Sequence, residues 1–168
     1  MGGLSVGGGF GCVILAGAGK EKAAAAVTEP TLTRADFPGH WSLSRRIDDR
    51  LTGQSGVFAG MARFLPHGND AAIHDESGLL RRGDATPLTA ERWYLWRCAA
   101  DEVVVRYADG RDFFGFRPAV RGSEIVHVCD AGTTRVIHDF TGWPRWQAIW
   151  PVTGPRKDDR LRSAWRRV

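Results

Sequence analysis

Apolar and polar residues alternate with a period of two near the C-terminus of the chain, a pattern that is typical of half-buried β-strands. One face of segment 146–152 is wholly apolar and comprises Trp146, Ala148, Trp150 and Val152. Gly154 and Pro155 end this strand, because proline donates no hydrogen bond to a neighbouring strand and fixes its own φ. The alternation resumes over 161–167 and predicts a second strand. One face of that strand comprises Leu161, Ser163, Trp165 and Arg167.

Similar alternating segments run from Phe37 to the C-terminus, separated by turn residues at intervals of about 8 to 14 residues. The clearest is a hairpin in which the β-rich runs 103–107 and 111–117 flank Ala108-Asp109-Gly110, since Asp-Gly is a strong signal for a tight turn. The whole region predicts nine or ten strands, with one short helical turn within 34–39. We therefore expect an antiparallel all-β protein.

The order of the predicted strands indicates how they are arranged. Sequential strands with hairpin-length connections favour an up-and-down meander over a Greek key. A meander of about 8–10 strands avoids exposed edges by closing into a barrel, and such a barrel leaves room for a small ligand. We predict a single β-barrel domain over 37–168, with its cavity as the functional site. The Gly/Ala-rich segment 1–36 is predicted to be a poorly ordered extension.

The composition is ordinary, and the one feature of it that bears on function is the distribution of positive charge. The 168 residues are 43% hydrophobic and 25% charged, as in ordinary globular proteins, and the net charge is +4. The dense basic cluster lies between residues 156 and 167, where lysine and arginine alternate with other side chains. Such a cluster can attract an anionic partner, although a solvated strand face is the more common reason for it.

The cysteines indicate a reducing environment. Cys12, Cys98 and Cys129 are odd in number, far apart and without C-x-x-C spacing, which argues against a disulfide framework and a cysteine zinc site. The apolar run 10–18 is shorter than the ~20 residues that a membrane helix needs, and it lacks the features of a signal peptide. We therefore expect a cytoplasmic protein with no membrane association and no metal site.

Arg92, Tyr94 and Trp96 share one face of a predicted strand. A buried arginine needs an anionic acceptor, because an unpaired charge in a barrel interior is costly, and Glu76 is the natural partner. This ion pair either stabilises the barrel or binds the anionic group of a ligand. The sequence favours neither interpretation.

Other polar residues offer less definite chemistry. His127 and Cys129 point to one face by alternation, with His138 on the next strand, but without tight spacing we interpret them as core polar groups. Residues two apart on a strand stand parallel, so Cys129 is not predicted to be a nucleophile activated by His127. Arg156 and Lys157 follow the Gly-Pro turn, and we slightly prefer a clamp for carboxylate or phosphate to a purely structural turn. No catalytic residue is assigned.

Two features resemble those of the calycin superfamily, which contains the lipocalin-like barrels. Gly39-His40-Trp41 lies on the first predicted strand, and a basic residue lies beside Trp165 on the last. In calycins a G-x-W tryptophan is covered by an arginine from the final strand where the barrel closes. The resemblance therefore implies a calycin-like (lipocalin-like) barrel.

A closer resemblance covers nearly all of residues 37–168. The motifs that carry it are G-x-W-x-L-x-R (Gly39 to Arg45), Glu76-x-Gly78, E-R-x-Y-L-W-R (Glu91 to Arg97), Asp109-Gly110-Arg111, His127-x-Cys129 and W-x-x-x-G-P-R-K-D (Trp150 to Asp158). They are similar to an uncharacterised bacterial family, domain of unknown function 6314. The family has no assigned activity, so the resemblance implies a fold more than a function. Where its pattern leads us to expect tyrosines or a histidine, this chain has Thr134, His138, Asp159 and Phe114.

The leading functional hypothesis is a non-enzymatic barrel that binds a small aromatic or amphipathic ligand through an anionic group. The predicted ligand-binding residues are Trp41, Glu76, Arg92, Tyr94, Trp96, His127, Trp150, Arg156 and Lys157. One alternative is an enzyme that uses Tyr94, His127 and Glu76 as acid and base. Another, less favoured, is a single-stranded nucleic-acid-binding protein that uses the basic, aromatic C-terminal region. Cofactors and oligomeric state stay open.

Overall fold

The computed structural model describes residues 32–99, 102–118, 123–129 and 132–168, with the backbone alone between residues 123 and 135. These residues form a short 3₁₀ helix and ten strands. The helix is Arg34–Asp36, and the strands are β1 (Gly39–Asp49), β2 (Ser55–His67), β3 (Ala71–Arg82), β4 (Leu88–Ala99), β5 (Glu102–Arg106), β6 (Asp112–Phe116), β7 (Ser123–Cys129), β8 (Gly132–Asp139), β9 (Arg145–Gly154) and β10 (Lys157–Arg167). Within the described ranges, we find no helix with the length and apolar character needed to cross a membrane.

The strands form one antiparallel sheet in the order β6-β5-β4-β3-β2-β1-β10-β9-β8-β7. The first and last strands, β1 and β10, pair with each other from Trp41–Arg167 to Asp49–Asp159. The two outermost strands, β6 and β7, also lie next to each other, so the sheet curls around a common interior. The predicted all-β, up-and-down meander with barrel features is therefore confirmed.

Several local predictions are also confirmed. β5 and β6 form the predicted hairpin, and Gly110 in its turn has a φ of 86°, which favours glycine. β9 and β10 are the two predicted C-terminal strands, and β9 ends at Gly154. Of the segment 1–36, residues 32–36 are described, and Leu32 packs against the core while its N–H donates to the Pro118 carbonyl at 2.9 Å.

β2 and β3 approach each other closely where Gly60 pairs with Gly78. A Cβ atom at Gly60 would lie 2.1 Å from the carbonyl oxygen of Ser77, and one at Gly78 would lie 2.4 Å from that of Ala59. Both contacts are with backbone atoms, which cannot move aside as a flexible side chain can. Glycine at these two positions therefore permits the tight coiling of the sheet.

One end of the barrel is closed by an aromatic cluster around Trp41. The indole N–H of Trp41 donates to the Phe37 carbonyl at 3.0 Å, and its ring is fully buried. Arg167, on the last strand, places its guanidinium 4.5 Å from the centre of the Trp41 ring and donates hydrogen bonds to the carbonyls of Asp36 and Pro38. This is the arrangement that the calycin resemblance implies, with the cation stacked on the indole face.

Candidate binding site in the barrel interior

Inward-facing side chains from several strands converge on a central cavity. Its volume is about 40 Å³, enough for roughly three water-sized groups. The charged and polar residues in its wall are Arg45, His74, Glu76, Arg92, His138 and Ser163. The larger aromatic residues are Tyr94, Trp96, Trp146, Trp150 and Trp165. A drug-sized ligand occupies about 300–1,000 Å³, so the central cavity does not enclose one.

Glu76 is at the centre of a buried ion cluster. Its side chain is 2% exposed, and its two oxygens accept hydrogen bonds at 2.9 Å from Nη1 and Nη2 of Arg45. Arg92, directly opposite Glu76 in the β3–β4 register, donates from Nε at 2.6 Å. Arg45 also donates from Nε to the Ser163 hydroxyl at 2.7 Å. Two guanidinium groups share one carboxylate, so the cluster keeps one uncompensated positive charge.

Electrostatics keeps Glu76 ionised. Burial by itself disfavours the charged carboxylate, but the surrounding positive groups outweigh this effect. His74, which is protonated at the pH where Glu76 titrates, acts together with Arg45 and Arg92 to lower the pKa of Glu76 to about 2. Glu76 is therefore a permanent anion near neutral pH and has no proton to donate.

Two imidazoles complete the polar part of the interior. Burial is the main reason that the pKa of His74 falls to about 4 and that of His138 to about 3. Both rings are therefore neutral near pH 7. His74 stacks on Phe64 with 4.2 Å between ring centres, and His138 stacks on Phe116 with 4.3 Å. They contribute hydrogen-bonding nitrogen atoms to the cavity and no charge.

A second cavity of about 160 Å³, which we call the vestibule, adjoins the ion cluster and shares four wall residues with the central cavity. The shared residues are Arg45, Glu76, Arg92 and Leu161. Its other wall residues are Glu91 and the apolar Ile47, Phe58, Leu80 and Ala90. Ile47 also lines a surface groove of about 330 Å³ between the β1–β2 and β9–β10 turns, which we call the mouth groove. Shared wall residues thus connect the central cavity to the vestibule, and Ile47 connects the vestibule to the mouth groove.

The structure divides the predicted ligand-binding residues between several places. The central cavity is lined by Glu76, Arg92, Tyr94, Trp96 and Trp150. Trp41 lies in the closed end of the barrel, away from the central cavity, because its ring packs under Arg167. Arg156 and Lys157 lie in the mouth groove. His127 falls in the stretch whose side chains lie outside the described part of the chain.

Nine residues of the cavity wall were not assigned to the site from the sequence: Arg45, His74, Val105, Phe114, His138, Trp146, Leu161, Ser163 and Trp165. Alternation provides the signal for two of them, because Arg45 lies on the inward face of β1 and His74 precedes Glu76 by two positions on β3. Ser163 pairs directly with Arg45 in the β1–β10 register. Across the described ranges, no group of three or more His, Cys, Asp and Glu side chains is arranged to hold a metal ion.

Comparisons with known proteins give a family match. The model of a family of unknown function, DUF6314, matches residues 37–167. No curated protein matches the chain. A solved structure described as EF1p2_mFAP2b bound to DFHBI is similar over 80% of this chain and 95% of that chain, with 13% sequence identity and a TM-score of 0.35.

Proposed function

The chain belongs to the DUF6314 family of unknown function, and from the geometry of its interior we propose that it binds a small amphipathic or aromatic anion. The anionic group of the ligand contacts the Arg45–Glu76–Arg92 cluster, and its apolar part lies in the vestibule. The observation that carries this proposal is the uncompensated positive charge of this cluster, in which Arg45 and Glu76 are buried and Arg92 is part-exposed.

The excess positive charge of the cluster, which Arg92 carries at its exposed side, favours a counterion of opposite sign. Glu76 is the one carboxylate in the wall of the central cavity, whereas Arg45 and Arg92 both line it. Two opposite unit charges 4 Å apart attract each other by about 4 kcal/mol at an effective dielectric constant of 20. The Arg92 side chain is 40% exposed and that of Arg45 is 8% exposed, so Arg92 is the guanidinium within reach of a ligand.

The cavity volumes determine how much of the ligand is enclosed. The central cavity of about 40 Å³ accommodates a compact head group, and the vestibule of about 160 Å³ accommodates an apolar segment. Both are smaller than the ~300 Å³ at which drug-sized sites begin. The ligand is therefore either small or long enough to extend into the mouth groove, where Arg156 and Lys157 lie.

The two alternative functions have less support. Acid–base catalysis requires a group that titrates near neutral pH, but the pKa of Glu76 is about 2, and burial raises the pKa of Tyr94 further above neutrality. Binding of single-stranded nucleic acid requires an exposed aromatic platform beside the basic cluster. Trp165 is 4% exposed, and Trp143 is half-buried with its ring centre 5.3 Å from that of Trp41. We therefore favour ligand binding.

Calorimetric titration with matched probes tests this proposal. We expect 4-phenylbutyrate and octanoate to bind, and the uncharged amides of the same acids to bind at least about tenfold more weakly, because they lack the attraction to the cluster. Arg92→Gln should weaken binding of both acids about tenfold or more. Arg97→Gln is the matched control, because this arginine of the same strand is exposed and pairs with Asp70. Equal affinities for acids and amides, or no binding of either, would overturn the proposal.

A further inference from the structure

Five residues that line the central cavity each carry a buried nitrogen atom with no hydrogen-bond partner among the described residues. These atoms are Nε1 of Trp96, Trp146 and Trp165, Nε2 of His74 and Nδ1 of His138. Each of these residues is at most 4% exposed, and all of them line the cavity. Nε2 of His74 lies 3.4 Å from Oε1 of Glu76 but without the geometry of a hydrogen bond. Unpaired buried polar groups are rare in folded proteins, so five on the residues of one wall call for a functional explanation.

The rings that carry these nitrogen atoms pack against one another. Trp146 and Trp165 stack in parallel, with 3.7 Å between ring centres and 1° between ring planes. The ring centre of Trp96 lies 6.4 Å from that of Trp146 and 5.2 Å from that of His74. The ring centre of His138 lies 6.1 Å from that of Trp146. The five side chains therefore form one packed cluster in the wall of one cavity.

The chemistry of this cluster determines which group it accepts. An indole N–H can only donate a hydrogen bond, so the three tryptophans require an acceptor. The two imidazoles are neutral, because burial lowers the pKa of each, and they add further hydrogen-bonding capacity without charge. The uncompensated positive charge of the neighbouring arginine cluster favours an acceptor with a single negative charge.

The size of the cavity narrows the choice further. A volume of about 40 Å³ holds roughly three water-sized groups, which corresponds to the carbon and two oxygens of a carboxylate. A sulfate ester carries three terminal oxygens around a tetrahedral sulfur and needs more room. A phosphate monoester has the same shape and approaches two negative charges near neutral pH, one more than the cluster can compensate.

We propose that the indole N–H groups of Trp96, Trp146 and Trp165 form, together with Arg92, a head-group site that is specific for a carboxylate and rejects sulfate and phosphate esters. The proposal rests on the proposed function and narrows its ligand class from amphipathic anions to carboxylic acids. One carboxylate oxygen accepts hydrogen bonds from Arg92, and the other accepts them from the indoles.

Three probes with one tail test this specificity: octanoate, octyl sulfate and octyl phosphate. We expect octanoate to bind at least about tenfold more tightly than the other two in calorimetry. In ¹⁵N NMR spectra, octanoate and the tail-less probe formate should shift the indole N–H signals of Trp96, Trp146 and Trp165 downfield, because these groups gain an acceptor. The indole signal of Trp143, which lies outside the cavity wall, should stay in place.

Substitution of one donor provides a second readout. Trp96→Phe keeps an aromatic ring and removes the N–H, and we expect it to weaken octanoate binding about tenfold. Trp143→Phe is the matched control and should leave the affinity unchanged. If Trp96→Phe does not fold, the indole signals of the natural protein decide the question.

The outcomes separate this proposal from the proposed function. Octanoate binding with the three indole signals unmoved, or octyl sulfate binding as tightly as octanoate, would overturn the head-group site and leave the proposed function standing. If neither the octyl probes nor 4-phenylbutyrate binds, the proposed function fails, and the head-group site, which rests on it, fails with it.

Discussion

Replacing Glu76 by glutamine should destabilise the protein strongly while changing the volume of the side chain little. The carboxylate accepts two hydrogen bonds from Arg45 at 2.9 Å and one from Arg92 at 2.6 Å. An amide presents an N–H₂ group to these donors and removes the one negative charge, so both guanidinium groups become uncompensated. Breaking a buried ion pair by removing one partner costs about 3–5 kcal/mol. For a domain of this size, this corresponds to a fall in Tm of about 10–20 °C.

Urea denaturation followed by tryptophan fluorescence measures this loss in the free energy of unfolding. Asp75→Asn is the matched control, because Asp75 is the neighbouring residue on β3 and pairs with the exposed Arg63 on the outer face of the sheet. We expect this control to cost less than about 1 kcal/mol, as surface ion pairs do. If the free energy of unfolding of Glu76→Gln lies within about 1 kcal/mol of that of the natural protein, the carboxylate does not stabilise the fold as we argue.

Two further predictions concern the glycine pair and the buried imidazoles. Gly60→Ala should lower the free energy of unfolding by about 2–3 kcal/mol or more, because its Cβ would lie 2.1 Å from the Ser77 carbonyl oxygen. Gly115→Ala is the control and should lower it clearly less, because its Cβ would lie 2.8 Å from the flexible carboxylate of Glu102. Equal losses in the two variants would contradict this reasoning. Stability should fall as the pH drops from about 6.5 to about 4, because His74 and His138, with folded pKa values of about 4 and about 3, bind protons only in the unfolded chain over this range. The slope of the free energy of unfolding against pH should reach roughly 2.7 kcal/mol per pH unit and should about halve in His138→Phe. A free energy of unfolding that stays constant over this pH range would refute the prediction.

Part of the candidate site could be predicted from the sequence because it depends on one strand pair. Arg92, Tyr94 and Trp96 lie on one face by alternation, and the acceptor of Arg92 is Glu76 on the neighbouring strand, as predicted. The second partner of Glu76 could not be found in this way. Arg45 lies on β1, and β2 separates β1 from β3, so their contact depends on the curl of the sheet.

The period-two alternation and the turn residues were sufficient to predict an all-β meander, the β5–β6 hairpin and the inward faces of β9 and β10. These features are local, because a strand face and a hairpin turn each depend on a few residues that are consecutive in the chain. The tertiary structure alone decided that Arg45 reaches Glu76 across β2 and that the central cavity measures about 40 Å³. These properties depend on how all the strands coil together and how their side chains fill the interior, which no single segment specifies.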